Sequence, residues 1–119
     1  MLRKESLFNE LSRMSETSNE RDLVTRLFNL VRNFYYILDI HNGCDNNLKL
    51  FNYLFCDLKK YSIEEIASES YLNERTVRRF KKKTEKIVEA LIKTDKQYKN
   101  LCRILKSIKE LRCQGQILS

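Results

Sequence analysis

The sequence predicts an all-α fold, a compact bundle of five to six helices in one domain over residues 1–119, and three observations predict it. Proline is absent, and the only two glycines, Gly43 and Gly115, fall where the hydrophobic pattern breaks, so the strongest helix breakers are missing from element interiors. Apolar residues recur at steps of three and four through most of the chain. A composition of 42% hydrophobic and 33% charged residues over 119 positions supports one core under a solvated surface.

The first helix is expected from about Arg3 to Met14, where Leu7, Phe8, Leu11 and Met14 share a face, and the polar run Ser15 to Asn19 ends it. Ser18 or Asn19 is the expected cap of a second helix, the most hydrophobic of the chain and the centre of the core. Its apolar positions are Leu23, Val24, Leu27, Leu30, Val31, Phe34, Ile37 and Leu38. Phe34, Tyr35 and Tyr36 are consecutive and cannot all face inward, so at least one ring is exposed or at an interface. His41 to Cys44 reads as a loop, because Asn-Gly tolerates left-handed backbone angles, and Asp45 is a candidate cap for the next helix. That third helix is expected from about Asn46 to Lys60, burying Leu48, Phe51, Leu54, Phe55 and Leu58.

From Ser62 two elements come in quick succession. Ser62 with Glu65 three residues on has the form of a capping box, opening a brief helix with Ile63, Ile66 and Ala67 inward. Ser70-Tyr71-Leu72 makes a turn, and Asn73 caps a second helix with Val77, Phe80, Ile87 and Leu91 on its inner face. The last segment, about residues 94–113, is an amphipathic helix with Tyr98, Leu101, Ile104, Leu105, Ile108 and Leu111 on one stripe and Lys96, Lys99, Arg103 and Lys106 on another, ended by Gly115. Its near-heptad spacing suits packing on the N-terminal helices first and dimerisation second.

Charge is unevenly placed. Residues 1–72 carry a net −2, residues 73–86 a net +5 and residues 93–113 another +5. Such asymmetry is expected of a protein that meets a polyanion with one surface. No apolar stretch is long enough for a membrane span and no signal-peptide pattern opens the chain, so a cytoplasmic location is expected. Cys44, Cys56, Cys102 and Cys113 have no metal-site spacing and His41 is the only histidine, so the cysteines are expected to be reduced core or boundary thiols, with no metal or other cofactor. No residue constellation suggests an enzyme.

Residues 62–83 have the parts of a helix-turn-helix: a small residue, Ala67, in the first helix, a tight turn, and a second helix held by an apolar wedge of Ile66, Leu72, Val77 and Phe80. The outward positions are then Asn73, Glu74, Arg75, Thr76, Arg78, Arg79 and Lys82, with Lys81 and Lys83 further along. Arginine reads guanine bidentately, which makes Arg75 and Arg78 the candidate base readers, while Lys81, Lys82 and Lys83 suit the phosphate backbone.

Ser62, Glu64, Glu65, Ile66 and Ala67, followed by Asn73, Glu74, Arg75, Thr76, Val77 and Arg79, resemble the region 4 helix-turn-helix of bacterial sigma factors and the small phage late-gene regulators of the RinA and ArpU kind. The resemblance covers about a fifth of the chain and implies a DNA-binding transcriptional regulator of phage or mobile-element type with double-stranded DNA as partner. Two positions depart from the pattern: Tyr71 stands where the family usually has glycine, and Ser70 where it has an apolar residue. RNA polymerase and a second copy of the chain are the protein partners that the N-terminal and C-terminal helices suggest. The other class of function is a protein-interaction module, an inhibitor or adaptor using its basic helices on an acidic partner.

Overall fold

Side-chain caps start most of the helices. In the computed structural model, which describes residues 6–56 and 61–118, Asn9 N–H donates to Ser6 Oγ at 3.3 Å and opens α1 (Leu7–Arg13). Thr17, not Ser18 or Asn19, caps α2 (Ser18–Asn42), accepting from Glu20 N–H while Thr17 N–H donates to the Glu20 carboxylate in a capping box. Gly43 ends α2 at φ 65, the left-handed conformation expected of it.

The start of α3 (Asn46–Phe51) corrects one expectation. Asp45 stands at the cap position without a side-chain cap bond; Asp39 of α2, buried, instead accepts from Asn47 N–H at 3.3 Å and Leu48 N–H at 2.8 Å. A carboxylate from the preceding helix thus satisfies two free amides and fixes the α2–α3 corner. Beyond Phe51 the chain widens into one π-helical turn, Asn52–Cys56, where the pattern predicts a regular α-helix; the rest of the expected helix, residues 57–60, lies outside the described residues. Leu50, Phe51 and Phe55 are buried while Leu48 and Leu54 are half-buried; for Leu54, inside the wider turn, the change of residues per turn shifts the inward face to Phe55. Leu58 and its neighbours lie outside the described residues.

α4 (Ile63–Ser70), α5 (Glu74–Thr94), a 3₁₀ turn (Lys96–Tyr98) and α6 (Leu101–Leu118) complete an all-α globule of six helices, with no strand among the described residues. Thr94 belongs to α5; Asp95 breaks the chain and accepts from Gln97 N–H at 3.1 Å to start the 3₁₀ turn. Gly115 lies inside α6 rather than at its end, since a lone glycine costs about 1 kcal/mol against alanine, too little to stop a helix by itself.

The core joins all six helices. Phe8, Phe28, Phe51 and Phe55 pack with ring centroids between 5.1 and 6.0 Å, and Tyr35 bridges this cluster to Phe80 of α5 at 4.9 Å. The inner face of α2 is Val24, Leu27, Val31 and Tyr35, so Leu30, Phe34 and Ile37, expected inside, are exposed. Tyr35 wins the inner position because its hydroxyl finds a buried partner, Thr84, at 2.6 Å. Phe34 and Tyr36 are the exposed rings that the run of three required.

Tyr98, Leu101, Ile104, Leu105 and Ile108 are buried within the molecule, which removes this stripe as a dimer surface, and Leu111 is exposed. Ion pairs clasp α6 to the rest: Arg112 to Glu10 of α1 at 3.2 Å and Glu85 of α5 at 2.9 Å, and Arg103 to Glu20 at 2.9 Å and Glu16 at 3.6 Å. Cys44 and Cys113 are exposed free thiols, not core residues, and Cys102 is half-buried, its Sγ–H donating to Ile92 O. No described helix is long and apolar enough to cross a membrane, and no cluster of metal-ligating side chains occurs among the described residues.

Candidate nucleic-acid interface

Two capping motifs and a left-handed residue build the α4–turn–α5 segment. Ser62 Oγ accepts from Glu65 N–H at 3.1 Å and Ser62 N–H donates to the Glu65 carboxylate at 3.4 Å, the capping box expected there. At the other end of α4, Tyr71 takes φ 56, ψ 36, and the chain reverses through Leu72 into Asn73. Tyr71 therefore adopts, without being glycine, the left-handed backbone that glycine usually supplies at the end of a helix. Ile66, Ala67, Val77 and Phe80 are buried in the core, and Leu72, half-buried, packs against it.

Asn73 Oδ1 accepts from Thr76 N–H at 2.8 Å and from Thr76 Oγ–H at 2.9 Å, capping α5. Both side chains are exposed but spend these groups on the helix, leaving the Asn73 amide NH2 as the cap's outward donor. The inner face of α5 is Val77, Phe80, Thr84, Val88 and Ile92; Ile87 and Leu91 are half-buried. Thr84 Oγ–H donates to Phe80 O at 3.0 Å, so at its 2.6 Å contact the Tyr35 hydroxyl is the donor. Burial raises the Tyr35 phenol above its usual pKa, which keeps it protonated and able to donate.

With that face inward, Arg75, Arg78, Arg79, Lys82 and Lys83 are exposed and form no ion pair among the described residues. Arg75, Arg79, Lys82 and Lys86 recur at steps of four and three directly opposite the buried stripe. Lys86, also exposed, was not among the expected site residues; its spacing from Lys82 and Arg79 is the signal that places it there. Glu74 and Lys81 depart from expectation, because both lie toward the inner face and are half-buried. One Glu74 carboxylate oxygen is buried without a hydrogen-bond partner among the described residues. Its acidic position in the first turn favours the positive end of α5, a structural use rather than a reading one.

The second basic cluster behaves differently. Arg103, Lys109 and Arg112 are spent on Glu16, Glu20, Glu89, Glu10 and Glu85, and this takes Arg103 out of the expected outer basic face of the last helix. No family model matches the chain, and no curated protein or solved structure is significantly similar to it.

Proposed function

We propose that this chain is a sequence-specific DNA-binding transcriptional regulator of phage or mobile-element type, working in the cytoplasm and reading the major groove of double-stranded DNA with the amino-terminal half of α5. The observation that carries the reading is that Arg75, Arg78, Arg79, Lys82 and Lys83 at the start of α5 all face solvent without ion-pair partners among the described residues, whereas Arg103, Lys109 and Arg112 of α6 are each paired with carboxylates. Unpaired cations on one helix face supply the counterion-release term of DNA affinity, and arginines near a helix start supply base recognition. The likeness of residues 62–79 to sigma region 4 supports the same reading.

A mobility-shift titration with random-sequence competitor at about 50 mM salt tests it, since electrostatic affinity is largest there. Arg78→Ala is expected to cost about 1–3 kcal/mol on a selected site and relax the preference, while Lys82→Ala weakens all duplexes alike and lowers the salt slope by about 1. A chain that shifts no duplex at that salt does not have this function.

An open groove of about 660 Å³ favours a second reading, a protein-interaction module such as an adaptor or inhibitor of RNA polymerase. Cys102, Leu105 and Cys113 line it together with Lys93, Lys106, Lys109 and Glu110, and because Lys109 is held by Glu89 the cations free to meet an acidic amphipathic partner are Lys93 and Lys106. A complex that survives nuclease and high salt would favour this reading.

A further inference from the structure

We infer that α2 carries a self-complementary apolar face through which two copies of the chain pair, with their α2 helices antiparallel. The inner side of α2 is spent on the core, yet Leu30, Phe34 and Ile37 recur at steps of four and three along a second side, flanked by Tyr36 and Ile40. Ile37 and Ile40 are 64% and 62% exposed, and Phe34 and Tyr36 about half exposed. Of the large hydrophobic side chains exposed among the described residues, only Tyr71 and Leu111 lie elsewhere. Single exposed apolar residues need no explanation, but five gathered on one helix mark an interaction site.

Area and charge select a second copy as the occupant. At about 150–250 Å² for a full large side chain, these five expose about 500 Å² per copy, so a pair removes about 1,000 Å² from water before any polar rim is counted, the lower bound for a specific interface. Between Leu30 and Ile40 the one exposed charge is Arg32, Asp39 being buried, so the apolar patch is not lined by like charges that would repel a second copy. A two-fold axis beside Phe34 sets Leu30 of one copy against Ile37 of the other, the reciprocal contact that an isologous dimer requires. It also brings Arg26, without an ion pair among the described residues, to the carboxyl end of the other α2, where the helix dipole is negative and the exposed Asp45 makes no side-chain cap bond.

This inference is independent of DNA binding and is tested without nucleic acid. Sedimentation of the full chain from about 1 to about 200 µM is expected to show a mass of two 14.3 kDa chains at the upper end. Phe34→Asp and, separately, Ile37→Asp are expected to move the dimer midpoint about 100-fold or more upward while leaving the helical circular dichroism unchanged and, at about 1 µM where the wild type is also monomeric, the thermal midpoint unchanged. If Phe34→Asp unfolds the chain, Ile37→Asp and Ile40→Asp, at the most exposed positions, carry the same test. A chain that stays monomeric at the highest concentration overturns the inference, as does a dimer indifferent to these substitutions. Capture of the wild-type monomer, but not of the Ile37→Asp chain, by phosphatidylglycerol vesicles would also overturn it, by assigning the face to lipid.

Discussion

Tyr71 holds φ 56 with 94% of its surface exposed. A side chain in that conformation costs about 1 kcal/mol against glycine, and an exposed ring recovers none of it through packing. Tyr71→Gly should therefore raise stability by about 1 kcal/mol, seen as a thermal midpoint higher by roughly 4 °C; a lower midpoint would show that the left-handed residue is not strained. The sequence marks this residue as a departure from glycine but leaves the backbone it adopts open, since a non-glycine residue there is compatible with a distorted turn as well as a strained one. The capping residues were more legible: Ser62 with Glu65, and Asn73, act as their spacing implies, because such bonds are local.

At the scale of the element, the rotation of α5 about its own axis decides which side chains it offers, and the Tyr35–Thr84 pair fixes that rotation against α2. Thr84→Val leaves the Tyr35 hydroxyl buried without an acceptor and is expected to cost about 1–3 kcal/mol, whereas Tyr35→Phe leaves Thr84 still bonded to Phe80 O and should cost only about 1 kcal/mol. Urea unfolding of the two variants measures the difference, and equal losses would argue against this pair as the lock. Periodicity alone does not find the pair, because α2 is apolar on two sides and Phe34 suits an inner position as well as Tyr35 by hydrophobicity. What separates them is a long-range partner on α5, invisible to any local pattern. The cap supplied by Asp39 is illegible for the same reason, because it comes from the preceding helix and not from the residue at the cap position.

For the whole molecule, charge is divided between holding the fold and facing outward. The net charge of each segment could be counted from the sequence; which cations are already paired could not, and Arg103 in a sequence-adjacent basic run turns out to be a clasp on Glu20. The Glu20 carboxyl lies below its usual pKa chiefly because Glu16 N–H donates to it, with Thr17 N–H and Arg103 adding to the effect and burial opposing it. A carboxyl depressed in the folded state stabilises fully above its unfolded value, about 4.3, and that contribution disappears as pH falls through the folded value. The thermal midpoint is accordingly expected to drop below about pH 4.5, and less steeply in Glu20→Gln. Parallel loss in both chains would show that Glu20 does not couple folding to protons.

The grip of Arg112 on Glu10, 102 residues apart along the chain, means that the first and last described helices lean on each other rather than trailing free. The backbone runs almost full circle. Pulled by its two ends, the molecule would resist first at this seam, and a nick in the Gly43 loop would leave two fragments each still gripping the other. Cutting away α1 is the graver injury, for it takes Leu7, Phe8 and Leu11 out of the core, strips Phe28, Phe51 and Phe55 of the ring they pack on, and leaves Arg112 only its hold on Glu85.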